Sequence, residues 1–440
     1  EAGLYCPVTL TMATAYLLDH YGSDKLKEKY LPHVLSTGEV ELYEGATFLT
    51  ERQGGSDVGA NQVQAIQDGD VYRIYGEKYF ASNAGTCGVA MVLARKERAR
   101  PGTKGLSLFL VPWEENRRKG LLRIRRLKDK LGVRAVPSAE VEFEGAIAYL
   151  VGDADRGFYY MMEALNLSRV CNAVGSLGIM RRAYSEALAY AQKRTAFGHH
   201  LIDYPMVHET LGKMVAKQEI EMETMFEVIE LMDQVMGKDP ENEPTDEERI
   251  LFRLFVAIMK VETAEQAIHF AHEAIELHGG NGYIEDFVTP RLLRDAQVLT
   301  VWEGTANILG LEVLRLIRKF NVENLFANFI EKRLSTIQSA ELTRWKEKIQ
   351  YELKSLLEQI KSLKQMPENI QTYYCKKIGK KMTDIYESTV ALEQLATGDE
   401  RQQAIEKVFL HGLWSEVRHE TEPVVLKYFD IITNQTTVQI

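Results

Sequence analysis

The sequence predicts an α+β protein that is mainly helical, and three textures along the chain carry that prediction. From residue 46 to about 150, short β-rich runs alternate with Gly, Asn, Asp and Pro: "ATFLT", "VYRIYGEKYFAS", "VAMVLARK", "LSLFLVP" and "AEVEFEGAIAYLV". That is the texture of a compact antiparallel sheet or barrel-like domain. From about 155 to 320 long helical segments follow with short connections, as in a bundle. A further helical region then runs to residue 440. The boundaries read as 1–45 (helical), 46–152 (β), 153–320 (helical bundle) and 321–440 (helical extension).

Each element has its own signal. Residues 5–19 read as a helix ending before "HYGSDK", and "SDKLKEKYLPHVL" as a second one that Ser23 or Asp24 can cap. Beyond the β region, residues 157–194 fit one long helix or two. Gly175 and Gly178 there cost helix stability unless a neighbour packs closely. "MVHETLGKMVAKQEIEMETMFEVIELMDQVM" and "EERILFRLFVAIMKVETAEQAIHFAHEAIELHG" are two more long helices. The acidic, Pro-bearing "GKDPENEPTDEE" between them reads as a solvated linker. A fourth bundle helix should follow "VLTVWEGTANI". In the extension, Leu342, Trp345, Ile349, Leu353, Leu356, Ile360 and Leu363 recur at spacings of three and four, one apolar stripe on one helix.

Composition excludes several classes. The 440 residues are 45% hydrophobic and 26% charged, with a net charge of −10, which argues against nucleic-acid binding by bulk positive charge. The extension, despite a small cluster at Lys376, Lys377, Lys380 and Lys381, holds 16 Lys+Arg against 17 Asp+Glu, a net of −1. Cys6, Cys87, Cys171 and Cys375 are far apart without CxxC spacing, and read as reduced thiols in a cytoplasmic setting. No apolar run approaches the roughly 18–20 residues needed to span a bilayer, and no signal peptide is evident. The ten histidines show no metal spacing, so no metal is expected. The chain opens at Glu1 inside an apolar run, which points to a longer parent.

Several short segments could carry chemistry. "LTERQGGSD" (49–57) ends a strand-like run, and its adjacent glycines with Thr50 and Ser56 suit a flavin or phosphate as well as a plain polar turn. In "EKYFASNAG", Phe80 and Ser82 lie two apart on a strand and share a face, fit either for a planar ring or for the core. "QKRTAFG" ends a helix with Lys193 and Arg194, favourable with the dipole in any case, then exposes Phe197. "ELHGGNGYIED" is a helix end and a Gly-rich loop, either a C-cap or a phosphate contact through bare amides. His278 within it fits a satisfied structural histidine better than a base. "TVWEGTANIL" places one glutamate, Glu303, in an otherwise nonionic stretch, where a carboxylate is paired, protonated or chemically employed.

In this order, "LTExxxGSD", aromatic-x-Ser-Asn, "KLGVRAVPSAEVEFE", "RxxFG", "HGGNGY", "RDAQ" and "WEGTANI" resemble the acyl-CoA dehydrogenases over about residues 40–320. Within that family the sequence is most similar to the AidB-like branch with a C-terminal extension. The resemblance implies a partial N-terminal helical domain, a middle β domain, a four-helix bundle and an extra helical domain, usually in homodimers or homotetramers that bind FAD. Phe48, Leu49, Thr50, Gly55 and Ser56 match the loop at the isoalloxazine edge and pyrophosphate, and Phe80, Ala81 and Ser82 match the family's Trp-Ile-Thr against the flavin ring. Arg194 and Phe197, and Glu276 with Gly279 and Gly280, match residues reaching the FAD of a dimer mate, although the family usually has glutamine at the place of Glu276. Thr305 and Asn307 match FAD contacts beyond the base, while Ser56, Arg169 and Gly304 are assigned to the acyl-CoA substrate.

Glu303 matches the catalytic base, which takes the α-proton of an acyl-CoA while the β-hydrogen leaves as hydride to flavin N5. The alternative base position of other branches falls on Ser168, just before Arg169. The resemblance therefore implies an FAD-dependent acyl-CoA dehydrogenase of fatty acid metabolism that delivers electrons to an electron-transfer flavoprotein. The alternative it offers is an AidB-like flavoprotein that binds DNA in alkylation damage, which the acidic charge does not favour.

Overall fold

The computed structural model describes residues 2–237, 243–415 and 423–433, so part of the expected acidic linker (238–242) and parts of the extension (416–422 and 434–440) lie outside the described residues. The chain divides into two compact units, Glu1–Cys171 and Asn172–Ile440.

The first unit opens with helices α1 (Ala2–Tyr21) and α2 (Asp24–Val34), the second capped by Ser23, whose hydroxyl accepts from the Leu26 amide. Strands β1 (Gly45–Phe48), β2 (Gln64–Asp68), β3 (Val71–Ala81), β4 (Val89–Lys96) and β5 (Leu106–Pro112) follow. Then come helix α3 (Trp113–Arg118), β6 (Leu122–Leu127), β7 (Ala139–Val151) and the start of helix α4 (Gly157–Lys193).

The sheet closes on itself. The pairs β2–β3, β3–β7, β7–β5 and β5–β4 are antiparallel, and a parallel β2–β4 pair completes the ring. Strand β1 also lies parallel to β4, so the sheet is not wholly antiparallel as the strand texture suggested. The reason is local. β1 faces Val89–Val92 and β2 faces Arg95 and Lys96, so the two run end to end along one edge of β4. Residues 49–63 are therefore an excursion out of a strand edge that the chain rejoins, with the Arg95 amide donating to the Val63 carbonyl at 2.8 Å.

β4 and β5 are buried on both faces, which explains their unbroken apolar runs. One face, with Val92, Phe109 and the nearby Phe48 and Trp113, fills the barrel. The other, with Met91, Leu93, Leu108 and Leu110, packs on Leu17 and Leu18 of α1 and Met161 of α4.

Helix α4 is a single helix, and Gly178 has open space rather than a close neighbour beside it. The second unit continues with α5 (Pro205–Met236), α6 (Asp246–His278), α7 (Thr289–Leu299) and α8 (Ala306–Phe320). The extension adds α9 (Val322–Thr336), α10 (Thr343–Leu363), α11 (Glu368–Thr397), α12 (Glu400–Trp414) and α13 (Val424–Thr433). On α10, Trp345, Ile349, Leu353, Leu356, Ile360 and Leu363 form the expected buried stripe, and Leu342 just before the helix is buried too.

Helix α11 is joined to α5 and α6 by a buried ion cluster. The Lys217 ammonium sits 3.0 Å from Glu221, 2.8 Å from Glu262 and 2.6 Å from Glu387, the place a cation would take among three carboxylates. Burial pushes the Glu221 carboxyl up, the Lys217 ammonium opposes that, and the neighbouring Glu387 and Glu262 add to the rise.

Candidate active site

In the first unit the excursion 49–56 is held from beneath by a buried ion pair that the sequence reading did not single out. Lys78, 0% exposed on β3, donates to Glu51 at 2.9 Å and to the Leu49 carbonyl at 3.0 Å. Glu51 also accepts from the Gln62 and Val63 amides at 2.6 and 3.1 Å, so its charge is spread over three donors. Desolvation lowers the Lys78 pKa to about 8, with Glu51 opposing that shift. The signal in the sequence was a lysine in mid-strand, at a position that strand alternation buries.

So anchored, the loop leaves Gly55 and Ser56 exposed and Leu49 and Thr50 half-buried, while the Phe48 side chain goes inward against Trp113, ring centroids 5.4 Å apart. The Tyr79 amide donates to the Thr50 carbonyl at 3.0 Å, which fixes the loop beside the end of β3. There the Phe80 ring is 54% exposed, Ala81 is buried, and the half-buried Ser82 hydroxyl shares a hydrogen bond of 3.1 Å with Ser138. Lys128 lies over the Tyr79 ring, 3.2 Å from its centroid, and bonds Glu140 at 2.6 Å. Hydrogen bonds from Lys128 and then Arg126 hold the Glu140 carboxyl far down, at about 2. Farther along, Ser168 and Arg169 are buried on α4, where Arg169 donates to Asn166 at 2.9 Å.

The second unit brings two other motifs together. Arg194 closes α4 and enters a tight hairpin, Thr195–Ala196 against His199–His200, with Phe197 at its tip. Phe197 is 96% exposed and sits at φ +51°, a left-handed conformation uncommon for an aromatic residue. One helical turn back, Tyr190 stacks on His278 at 4.2 Å and accepts from Asn281 at 3.1 Å. The hairpin and the "HGGNGY" loop are thereby neighbours. His278 is buried, and its Nδ1 donates to the Ala274 carbonyl at 2.7 Å, which makes it the structural histidine expected. Glu276 is exposed, and Gly279 (φ +60°) and Gly280 have open space where side chains would stand.

Glu303 lies in the turn between α7 and α8. It is half-buried at φ +59°, followed by Gly304 at φ +102°. A left-handed non-glycine residue costs roughly 1–2 kcal/mol, which the surroundings must supply. Part of that support is Lys260 of α6, a residue the sequence reading passed over, whose ammonium donates to the Gly304 carbonyl at 2.7 Å. Thr305 takes the N-cap position of α8 without a side-chain cap bond, and both it and Asn307 are exposed. Two of the four lysines of the basic cluster on α11 are paired with acids: Lys380 with Glu262 and Asp384, and Lys381 with Glu352.

A closed β barrel ahead of a long-helix bundle, with these loops, is matched by family models for "Acyl-CoA dehydrogenase, middle domain" over residues 46–146 and "Acyl-CoA dehydrogenase, C-terminal domain" over 155–317. The chain belongs to the acyl-CoA dehydrogenase family.

Among its relatives, acyl-CoA dehydrogenase family member 11 of Caenorhabditis elegans is 37% identical over 370 residues, 81% of this chain and 59% of that protein. The putative acyl-CoA dehydrogenase AidB of Escherichia coli is 34% identical, over 72% of this chain and 58% of its own length. The chain thus spans a little under three fifths of the length of these relatives. The crystal structure of C. elegans ACDH-11 in complex with C11-CoA superposes with a TM-score of 0.84 at 31% identity, covering 98% of this chain and 76% of that one. Among the described residues no helix is long and apolar enough to cross a membrane.

Proposed function

We propose that this chain is an FAD-dependent acyl-CoA dehydrogenase with Glu303 as its base. The observation that carries the reading is Glu303 itself, a half-buried carboxylate in a left-handed turn tethered to a buried lysine. Backbone held in such a conformation is characteristic of functional positions. The serine at Ser168 leaves no second carboxylate at the alternative position.

The residues present fit FAD. Exposed Gly55 and Ser56, on the loop fixed at the end of β3, and the half-exposed Phe80 ring suit a flavin ring and its polar edge. Arg194 and the uncovered backbone at Gly279 and Gly280 suit the pyrophosphate of the FAD carried by a second copy. Leu49, Thr50, Ala81 and Ser82 in the first unit are proposed for the cofactor too, with Phe48 and Ala81 offering main chain because their side chains are buried, and Thr305 and Asn307 are the residues proposed in the second unit. When bound, FAD supplies the acceptor for the hydride that leaves the substrate β-carbon.

The chain's own part is the proton. The Glu303 carboxylate takes it from the α-carbon of the thioester, and the C–H electron pair becomes half of the new double bond. The residues proposed for the acyl-CoA are Ser56 and Arg169 in the first unit and Gly304 in the second. The exposure of Phe197 and Arg194 favours a second copy covering them, in a homodimer or homotetramer, and an electron-transfer flavoprotein is the proposed electron acceptor.

The test is anaerobic flavin bleaching by a panel of acyl-CoAs that includes C11-CoA, the ligand of the C. elegans relative. Glu303→Gln is expected to retain FAD and lose bleaching. Undiminished bleaching by that variant would sink the assignment.

A further inference from the structure

We propose that Lys260 is a positioning residue for Glu303: through the Gly304 carbonyl, its ammonium holds the turn in the conformation that presents the Glu303 carboxylate. The inference rests on the assignment of Glu303 as the base.

Lys260 lies in the middle of α6, 1% exposed, beside the buried Ala257, Ile258, Met259 and Ala264. An ammonium is expensive to bury, and a leucine or methionine would fill the same space without losing hydration. Packing therefore does not call for a lysine here. Lys217 in the same unit bonds carboxylates on three helices and joins them. The Lys260 bond to Gly304 ends on main chain, 44 residues away, next to the proposed base.

That carbonyl is where a tether acts. Glu303 is a non-glycine residue at positive φ, a conformation that persists only where its surroundings hold it, and Gly304 follows it directly. Without the Lys260 bond the peptide after Gly304 loses its anchor, and the turn is then free to relax at Glu303, the neighbouring residue held at φ +59°. A misplacement of about 1 Å at a reacting group can cost on the order of a hundredfold in rate.

The experiment compares the parent chain with Lys260→Met, Lys260→Arg and Glu303→Gln. Amide hydrogen exchange over residues 299–309, read without FAD, is expected to speed up about tenfold in Lys260→Met and much less in Lys260→Arg, which keeps a donor. In the FAD-loaded proteins, the bleaching rate of Lys260→Met at saturating acyl-CoA should fall about thirtyfold or more, with half-saturation within about threefold and Lys260→Arg recovering most of the rate.

Unchanged exchange at the turn, an unchanged rate, or parallel loss of rate and binding in Lys260→Met overturns the proposal. If Lys260→Met does not fold, Lys260→Leu, which likewise carries no donor, is read by the same outcomes. An inactive Glu303→Gln beside a parent-like Lys260→Met removes only the tether. An active Glu303→Gln removes the base assignment and the positioning role with it.

Discussion

Tyr190 stacks on His278 with ring centroids 4.2 Å apart, and this contact fastens the Arg194–Phe197 hairpin to the Gly279–Gly280 loop. Neither motif has much packing of its own, since the hairpin tip and both glycines are open to solvent. Tyr190→Ala removes the ring and the acceptor for Asn281. It should cost about 1–2 kcal/mol in a urea melt. If the loop and hairpin hold FAD together, flavin affinity should also drop about tenfold in a fluorescence titration, and an unchanged affinity would separate the stack from the cofactor.

Lys78 and Glu51 form the corresponding anchor in the first unit. Lys78→Met leaves the Glu51 carboxylate buried with two backbone donors only, and stability should fall by about 3–5 kcal/mol. Lys78→Arg restores the charge but not the shape of the site, so it should recover part of that loss. Denaturant midpoints on the three proteins decide the matter, and a stable Lys78→Met would show that the pair is dispensable.

Glu406 sets a pH dependence. It is buried on α12, where desolvation first and then the neighbouring Glu223 and Glu219 raise its pKa from 4.5 to about 10. A carboxyl whose folded pKa is raised contributes stability that is complete below pH 4.5 and is lost as pH rises toward 10. Glu223, raised to about 7 by the same causes, adds a loss in the lower half of that window. Thermal melts should therefore weaken from pH 5 to pH 9. Glu406→Gln should flatten that slope and gain about 1–3 kcal/mol at pH 8, whereas a parent-like slope in the variant would place the dependence elsewhere.

The α10 stripe makes a simpler case. Leu356 is fully buried on it and Tyr351 is exposed on the same helix. Leu356→Ala should cost about 2–4 kcal/mol, and Tyr351→Ala within about 0.5 kcal/mol. Equal effects at the two sites would mean that the helix is not held by its apolar face.

Much of this arrangement was legible residue by residue. Helix periodicity marked α10, because a buried face repeats every three to four residues whatever it packs against, while α5, α6 and α8 stood out as long helical runs. Glycine pairs marked the open loops at Gly54–Gly55 and Gly279–Gly280, because only glycine leaves the backbone uncovered. The lone glutamate in "TVWEGTANIL" stood out because its neighbours carry no charge. The parallel pairing of β1 and β2 with β4 had no such mark, since strand texture does not say which edge a strand joins.

Sequence alone was enough for what depends on near neighbours: five of the strand runs, the long helices α4, α5, α6, α8 and α10, the apolar stripe, the glycine loops, and Glu303 as the residue to explain. Tertiary structure alone decided what depends on residues far apart in the chain. Lys78 reaches Glu51 across 27 positions and Lys260 reaches Gly304 across 44. The Phe48 ring turned into the barrel beside Trp113, and Lys380 and Lys381 on α11 met the acids of α6 and α10. A buried charge takes its partner from whatever the fold places within about 3 Å, and no local periodicity records that partner.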